Sequence, residues 1–148
     1  MTRPPSCPAT HRIPVRIYYE DTDLAGVVYY ANYLRYMERG RTELLRAAGI
    51  HLDAYHRDGI VFAVIETTVR YRSAAQYGDV LDVETALCET TRSILVFDTR
   101  MYNQHGTLVC TSRTRLVCVG PSGRVSRIPP ELLDMLQKVT GTTEPART

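Results

Sequence analysis

The chain has 148 residues, a formal net charge of +2 at pH 7 and 44% hydrophobic residues, which is typical of one globular domain. So weak a charge argues against a general nucleic-acid-coating protein, and no run of about 18 apolar residues predicts a membrane span. The four cysteines and four histidines lack the close spacing of metal and redox sites, so we expect no metal and no cofactor.

Both termini are predicted to be disordered tails. Residues 1–12 and 139–148 are rich in Pro and in Ser or Thr, and the first tail lacks the apolar centre of a secretory signal. Cys88, Cys110 and Cys118 fall in predicted strands, where cysteine is usually a small buried apolar residue. Together these features predict a cytoplasmic protein.

The first predicted elements are a strand, a turn and a long helix. Residues 13–19 are rich in β-branched and aromatic side chains, which favours a strand. The sequence Glu20-Asp21-Thr22-Asp23 favours a turn, because Asp and Thr side chains bond nearby backbone groups. From about Tyr30 to Ala48, apolar residues mostly recur at steps of three, four or seven, which predicts an amphipathic helix.

The start of this helix is a candidate reaction site. The first N–H groups of a helix have no partner inside it, and the helix dipole places partial positive charge there. We expect these donors at residues 28–33, with Asp23 on a turn that folds back over them. A carbonyl bound to the N–H groups would be polarised, while the carboxylate acts as nucleophile or base.

The rest of the chain predicts a sheet. Residues 51–59 are polar and favour a short helical turn, and residues 60–71 are predicted to form a long strand buried on both faces at its start. Strands are predicted at 80–89, 93–102 and 107–119, and a final helix at 129–138. Short links favour antiparallel pairing, so we predict an α+β fold with a curved antiparallel sheet wrapped round one long central helix. The free sheet edges favour pairing with a second copy.

One motif resembles a known family. Arg16-Ile17, four residues, Thr22-Asp23, two residues and then Gly26-Val27-Val28 resembles the active-site pattern of hotdog-fold 4-hydroxybenzoyl-CoA thioesterases. The longer stretch 15–46 is most similar to acyl-CoA thioesterases encoded with the Tol–Pal cell-envelope system. The resemblance implies a single hotdog domain over 13–138 that hydrolyses an acyl-CoA thioester to a free acid and coenzyme A. It also implies a homodimer or homotetramer with active sites at the dimer interface.

The same resemblance implies roles for three residues. Asp23 matches the catalytic carboxylate, acting as nucleophile or general base. Tyr30 matches the position whose backbone N–H polarises the thioester carbonyl, where Tol–Pal members often have His. Arg92 falls where the family has basic residues near the coenzyme A phosphates. We expect the acyl pocket between the helix face and residues 60–65.

Several alternatives remain open at the level of sequence. The first alternative is that Asp23 is only a turn or helix-capping residue, which is the commonest use of Asp in such a place. Another hotdog enzyme, a hydratase or dehydratase of acyl thioesters, usually needs a His base, and no His is near Asp23 in the sequence. A non-enzymatic envelope-complex accessory module is the third interpretation. Acyl carrier protein is an alternative carrier to coenzyme A.

Overall fold

The computed structural model describes residues 10–141, and its regular structure begins at His11 and ends at Thr140, two residues outside each predicted bound of 13–138. The terminal residues 1–9 and 142–148, which hold most of both predicted tails, lie outside the described residues. The elements are β1 (His11–Arg16), a 3₁₀ turn (Tyr19–Asp21), α1 (Asn32–Ala47), α2 (Leu52–His56), β2 (Val61–Tyr71), β3 (Val80–Thr90), β4 (Ile94–Tyr102), β5 (Leu108–Val119) and α3 (Pro130–Thr140).

The five strands form one antiparallel sheet in the order β1-β3-β4-β5-β2. The long strand β2 is therefore an edge strand, paired only with β5. Its Val64 and Ile65 are 51% and 53% exposed, so the expectation that this strand is buried on both faces at its start is wrong for the single chain. The run is apolar, but nothing within the described part of the chain covers its free edge.

Helix α1 lies on one face of the sheet, mainly against β1 and β3. Its buried face includes Tyr33, Met37, Gly40 and Leu44, spaced as the sequence pattern predicts. Only glycine fits at position 40 without a shift of its neighbours, because a Cβ there would collide with Thr85 Oγ1 and approach Val83 Cγ1 to 3.1 Å. The helix is therefore seated closely against the middle of β3.

A second cluster of buried side chains packs α3 against α1 and the sheet. Leu132 and Leu136 of α3 are fully buried and pack in one cluster with Leu45, Leu87 and Phe97. The thiols of Cys110 and Cys118 are free and buried, as expected. Cys88 is only half-buried and is disulfide-bonded, so the expectation of a buried apolar cysteine is wrong there.

Two features are absent from the described residues. No helix between residues 10 and 141 is long and apolar enough to cross a membrane. In the same range, no three His, Cys, Asp or Glu residues form a group that could hold a metal ion.

Candidate active site

The segment from the last residue of the 3₁₀ turn to the first residue of α1, residues 21–32, forms the Asp23 loop. It folds back on itself through a single antiparallel bridge in which Thr22 lies opposite Val28. The Asp23 N–H donates to the Val27 carbonyl at 2.9 Å. Gly26, with a φ of +83°, allows the chain to reverse between the two arms. This bridge brings the chain back past Asp23 just before α1 begins.

Asp23 is exposed in the single chain. Its Oδ1 accepts a hydrogen bond of 2.9 Å from the Ala25 N–H within its own turn, and Oδ2 has no hydrogen bond to any described residue. The predicted contact between this carboxylate and the helix amides is therefore not formed within one chain. One carboxylate oxygen fixes the side chain, and the other is left open to a substrate or water.

Helix α1 begins at Asn32, two residues later than predicted, and an open backbone donor precedes it. The Tyr29 N–H donates to the Asp21 carbonyl at 2.9 Å, and the Asn32 N–H donates to the Tyr29 carbonyl at 2.8 Å. The Tyr30 N–H donates to no group in the part of the chain that the structure describes. It lies at the positive end of the helix dipole, where an oxyanion would be stabilised.

The Tyr30 side chain belongs to a cluster of tyrosines. Its ring lies 5.0 Å from that of Tyr29 and 6.3 Å, edge to face, from that of Tyr71. The Tyr71 hydroxyl donates to the Tyr30 carbonyl at 3.1 Å, which ties the end of β2 to the start of α1. No sequence pattern indicated Tyr71, because it lies 41 positions from Tyr30 and contacts it only through the fold.

Asp21 is the turn residue that its sequence context predicts. Its carboxylate accepts from the Tyr18 N–H at 2.7 Å, and its carbonyl accepts from the Asn32 side chain at 2.9 Å. The hydroxyl of Tyr36 is buried close to this carboxylate. Burial raises the pKa of Tyr36, and the Asp21 carboxylate raises that pKa further. The ring of Tyr36 also lies under the Arg39 guanidinium, 5.8 Å away.

Arg92 is exposed in the β3–β4 turn, where its carbonyl accepts from the Ile128 N–H at 2.7 Å. The Asp23 loop lies at the opposite end of β3, since the Val28 N–H donates to the Ala75 carbonyl at 2.8 Å. With 11 residues, β3 is about 35 Å long. One chain therefore does not bring Arg92 and Asp23 together.

An open groove of about 420 Å³ lies between α1, α2 and the start of β2. Its wall is mainly apolar, from Leu45, Ile60, Val61, Phe62, Val64, Leu95, Phe97 and Leu116. Glu38, Arg41 and His56 are among its polar residues. This is the location expected for an acyl pocket, between the helix and residues 60–65, and it lies at the end of β2 away from Tyr71.

The chain is similar to several known proteins. Residues 18–136 match the model of the thioesterase-like superfamily. The acyl-CoA thioester hydrolase YbgC of Escherichia coli O6:H1 is 40% identical over 110 residues, which cover 74% of this chain and 82% of that protein. A crystal structure of a hypothetical protein from Thermus thermophilus has a TM-score of 0.81 at 30% identity and covers 89% of this chain and 99% of its own.

The fold is also that of a mutant 4-hydroxybenzoyl-CoA thioesterase solved with 4-hydroxybenzoyl-CoA. That structure has a TM-score of 0.78 at 22% identity and covers 87% of this chain and 99% of its own. The prediction of an α+β hotdog fold is thereby confirmed. The family match spans the Asp23 loop, all of α1 and the whole sheet except β1. The chain belongs to the thioesterase-like superfamily.

Proposed function

We propose that this thioesterase hydrolyses acyl-CoA thioesters to a free acid and coenzyme A, with Asp23 and the Tyr30 N–H as its catalytic groups. The observation that carries the proposal is the unpaired Tyr30 N–H at the start of α1, on the same loop as the open Oδ2 of Asp23 in the described part of the chain. The name of the Escherichia coli relative supports the substrate class.

The chemistry needs only these groups and water. The thioester carbonyl oxygen accepts from the Tyr30 N–H, which stabilises the negative charge that develops when the carbonyl carbon is attacked; one such donor typically contributes about 10²–10³ in rate. As a general base, Asp23 removes a proton from the attacking water, the tetrahedral intermediate expels the coenzyme A thiolate, and the thiolate takes up the proton.

As a nucleophile, Asp23 attacks the carbonyl itself. The thiolate leaves, an acyl–aspartyl anhydride forms, and water then hydrolyses the anhydride. Single-turnover hydrolysis in oxygen-18 water separates the two routes. Unlabelled oxygen from the protein appears in the product acid when water attacks the aspartyl carbonyl of the anhydride, and the base route leaves one labelled oxygen.

The active form that we propose is a dimer formed along β2. This strand is a free sheet edge with exposed apolar side chains, which favours pairing with the same strand of a second copy. In a two-fold antiparallel pair, the Tyr71 end of one strand lies opposite the Val61 end of its partner. The Asp23 loop of one copy would then lie near the groove of the other, with the partner subunit's Arg92 beyond it to meet the coenzyme A phosphates.

The test is thiol release by purified full-length protein over short-chain, long-chain and aromatic acyl-CoA esters, with acyl carrier protein esters as the alternative carrier. We expect turnover by the wild type and a loss of at least about 100-fold in Asp23→Asn. Conversion of crotonyl-CoA to a hydroxyacyl product without thiol release would instead support the hydratase alternative. No turnover together with one stable protein partner would support the accessory module.

A further inference from the structure

Asn32 holds the segment that carries the Tyr30 N–H in two ways. Its backbone N–H donates to the Tyr29 carbonyl at 2.8 Å, and its side-chain Nδ2 donates to the Asp21 carbonyl at 2.9 Å. The side chain is half-buried at the first position of α1. Asn32 thus links the helix start both to the residue before Tyr30 and to the arm of the loop that leads to Asp23.

The backbone bond of Asn32 sets the direction of the Tyr30 N–H. The Tyr29 carbonyl and the Tyr30 N–H belong to one planar trans peptide, so they point in opposite directions. Because the carbonyl points into the turn, towards Asn32, the N–H points out of it. On the other side of the residue, the Tyr30 carbonyl is held by the Tyr71 hydroxyl at 3.1 Å. Both peptides of Tyr30 are therefore fixed.

The side-chain bond of Asn32 sets where this N–H lies relative to Asp23. The Asp21 carbonyl accepts from both the Tyr29 N–H and the Asn32 side chain, so both acceptor positions of that oxygen are used. Asp21 is itself fixed by its carboxylate, which accepts from the Tyr18 N–H at 2.7 Å. Asp23 follows two residues later on the same arm. Without the side-chain amide, only the Tyr29 bond would join the Asp21 carbonyl to the helix start.

We propose that the side-chain amide of Asn32 is a positioning group for the hydrolysis, holding the Tyr30 N–H at a fixed place relative to the Asp23 carboxylate. This inference rests on the proposed function. Asn32 does not touch the substrate; it acts through the Asp21 carbonyl and the Tyr29–Tyr30 peptide. Small displacements of reacting groups are costly, with about 10²-fold lost for a misplacement of about 1 Å.

The test compares two substitutions at position 32 of the full-length protein. Asn32→Ala removes the tether, and we expect kcat to fall by about 10–100-fold with KM changed less than about threefold. Asn32→Asp keeps the shape of the side chain and places negative charge in the first turn, which favours the helix, but an ionised carboxylate cannot donate to the Asp21 carbonyl. We expect it to lose kcat as well, without melting below Asn32→Ala.

The matched control is Asn103→Ala. The Asn103 side chain accepts from the His105 and Thr107 N–H groups at 2.9 and 3.0 Å in the β4–β5 turn, and it shares no hydrogen bond with the Asp23 loop in the described part of the chain. We expect its kcat to stay within about twofold of the wild type. Amide hydrogen exchange gives a readout without substrate: the Tyr29 amide should exchange faster in Asn32→Ala than in Asn103→Ala.

The outcomes separate this inference from the proposed function. A wild type that hydrolyses acyl-CoA, with both Asn32 variants retaining kcat within about twofold, would overturn the positioning role and leave the function intact. Unchanged amide exchange in Asn32→Ala would overturn it too. A wild type that hydrolyses no acyl-CoA would overturn the proposed function and this inference with it.

Discussion

At the scale of single residues, the oxyanion donor that we propose is a backbone group, so the identity of its side chain should matter little. Tyr30 is 61% exposed, and its ring packs on the rings of Tyr29 and Tyr71. We expect Tyr30→Phe to keep kcat within about threefold, because the N–H remains, and Tyr30→Pro to lose about 10²–10³, because proline has no N–H.

The measurement is steady-state thiol release by both variants, with circular dichroism to verify that each is folded. Equal activity of a folded Tyr30→Pro variant and the wild type would rule out this N–H as the donor. A large loss in Tyr30→Phe would show instead that the hydroxyl takes part in the reaction.

The buried phenol of Tyr36 makes stability depend on pH. Burial raises its pKa from the ordinary value of 10.0, and the Asp21 carboxylate adds to the shift. A phenol whose folded-state pKa lies above its unfolded value stabilises the fold fully below pH 10, and the stabilisation is lost as the pH rises further. We expect the free energy of unfolding to fall above pH 10, and to fall less steeply in Tyr36→Phe. Urea unfolding at about pH 8, 10 and 11 measures this.

The control for this prediction is Tyr77→Phe, whose ring is 65% exposed. Its unfolding should follow the wild type across the same pH range. Identical pH dependence of Tyr36→Phe and the wild type would contradict the assignment of this effect to Tyr36.

At the scale of elements, the contact between α1 and β3 depends on one glycine. Glycine inside a helix is ordinarily about 1 kcal/mol less favourable than alanine, so Gly40→Ala would stabilise an isolated helix. Here the added methyl group would meet the buried Thr85 hydroxyl, and we expect a net destabilisation of about 1–3 kcal/mol. Chemical denaturation measures the change. The control is Arg35→Ala, at an exposed position of the same helix, whose free energy of unfolding should stay within about 0.5 kcal/mol of the wild type. If Gly40→Ala were instead more stable than the wild type, α1 would not be packed against β3 as described.

The positions of helices and strands could be predicted from the periodicity of apolar residues, because an element that buries one face carries apolar side chains at the spacing of that face. The α1 helix lies within two residues of its predicted bounds, and four of the five strands lie within one residue of theirs. The first strand ends at Arg16 rather than residue 19, since Tyr19 enters a 3₁₀ turn whose hydrogen bonds are local. Which strand lies at the sheet edge was not readable, because strand order depends on long-range pairing.

The candidate site was predictable only in part for the same reason. The seven-residue interval between Asp23 and Tyr30 is local, so the motif could locate both groups on one loop. The Asp23 carboxylate bonds its own Ala25 N–H rather than the helix amides, a choice between nearby donors that spacing does not decide. Tyr71 contacts Tyr30 only through the fold, and Arg92 would reach the Asp23 loop only in the proposed dimer.

At the scale of the whole molecule, the proposed active site needs two chains. The exposed Ile65 lies in the middle of the free edge strand β2, and we expect Ile65→Lys to place charge within the proposed dimer contact. Light scattering with size-exclusion chromatography should give at least twice the chain mass of 16.7 kDa for the wild type and a single chain mass for the variant. Thiol release should fall with the loss of the dimer.

The control substitution is Val125→Lys, at a position that is 67% exposed and bridges Val119 of β5 rather than any residue of β2. It should leave both mass and activity unchanged. A wild type that is monomeric and fully active would contradict the proposal that the partner's groove and Arg92 complete the site.

The most direct test of the central claim is a crystal structure of full-length Asp23→Asn with an acyl-CoA that it hydrolyses slowly. We expect the thioester carbonyl oxygen about 2.7–3.1 Å from the Tyr30 nitrogen, with the amide introduced at position 23 beside the carbonyl carbon and the acyl group in the groove. A thioester bound with its carbonyl away from the start of α1, and no contact to the Tyr30 N–H, would contradict it.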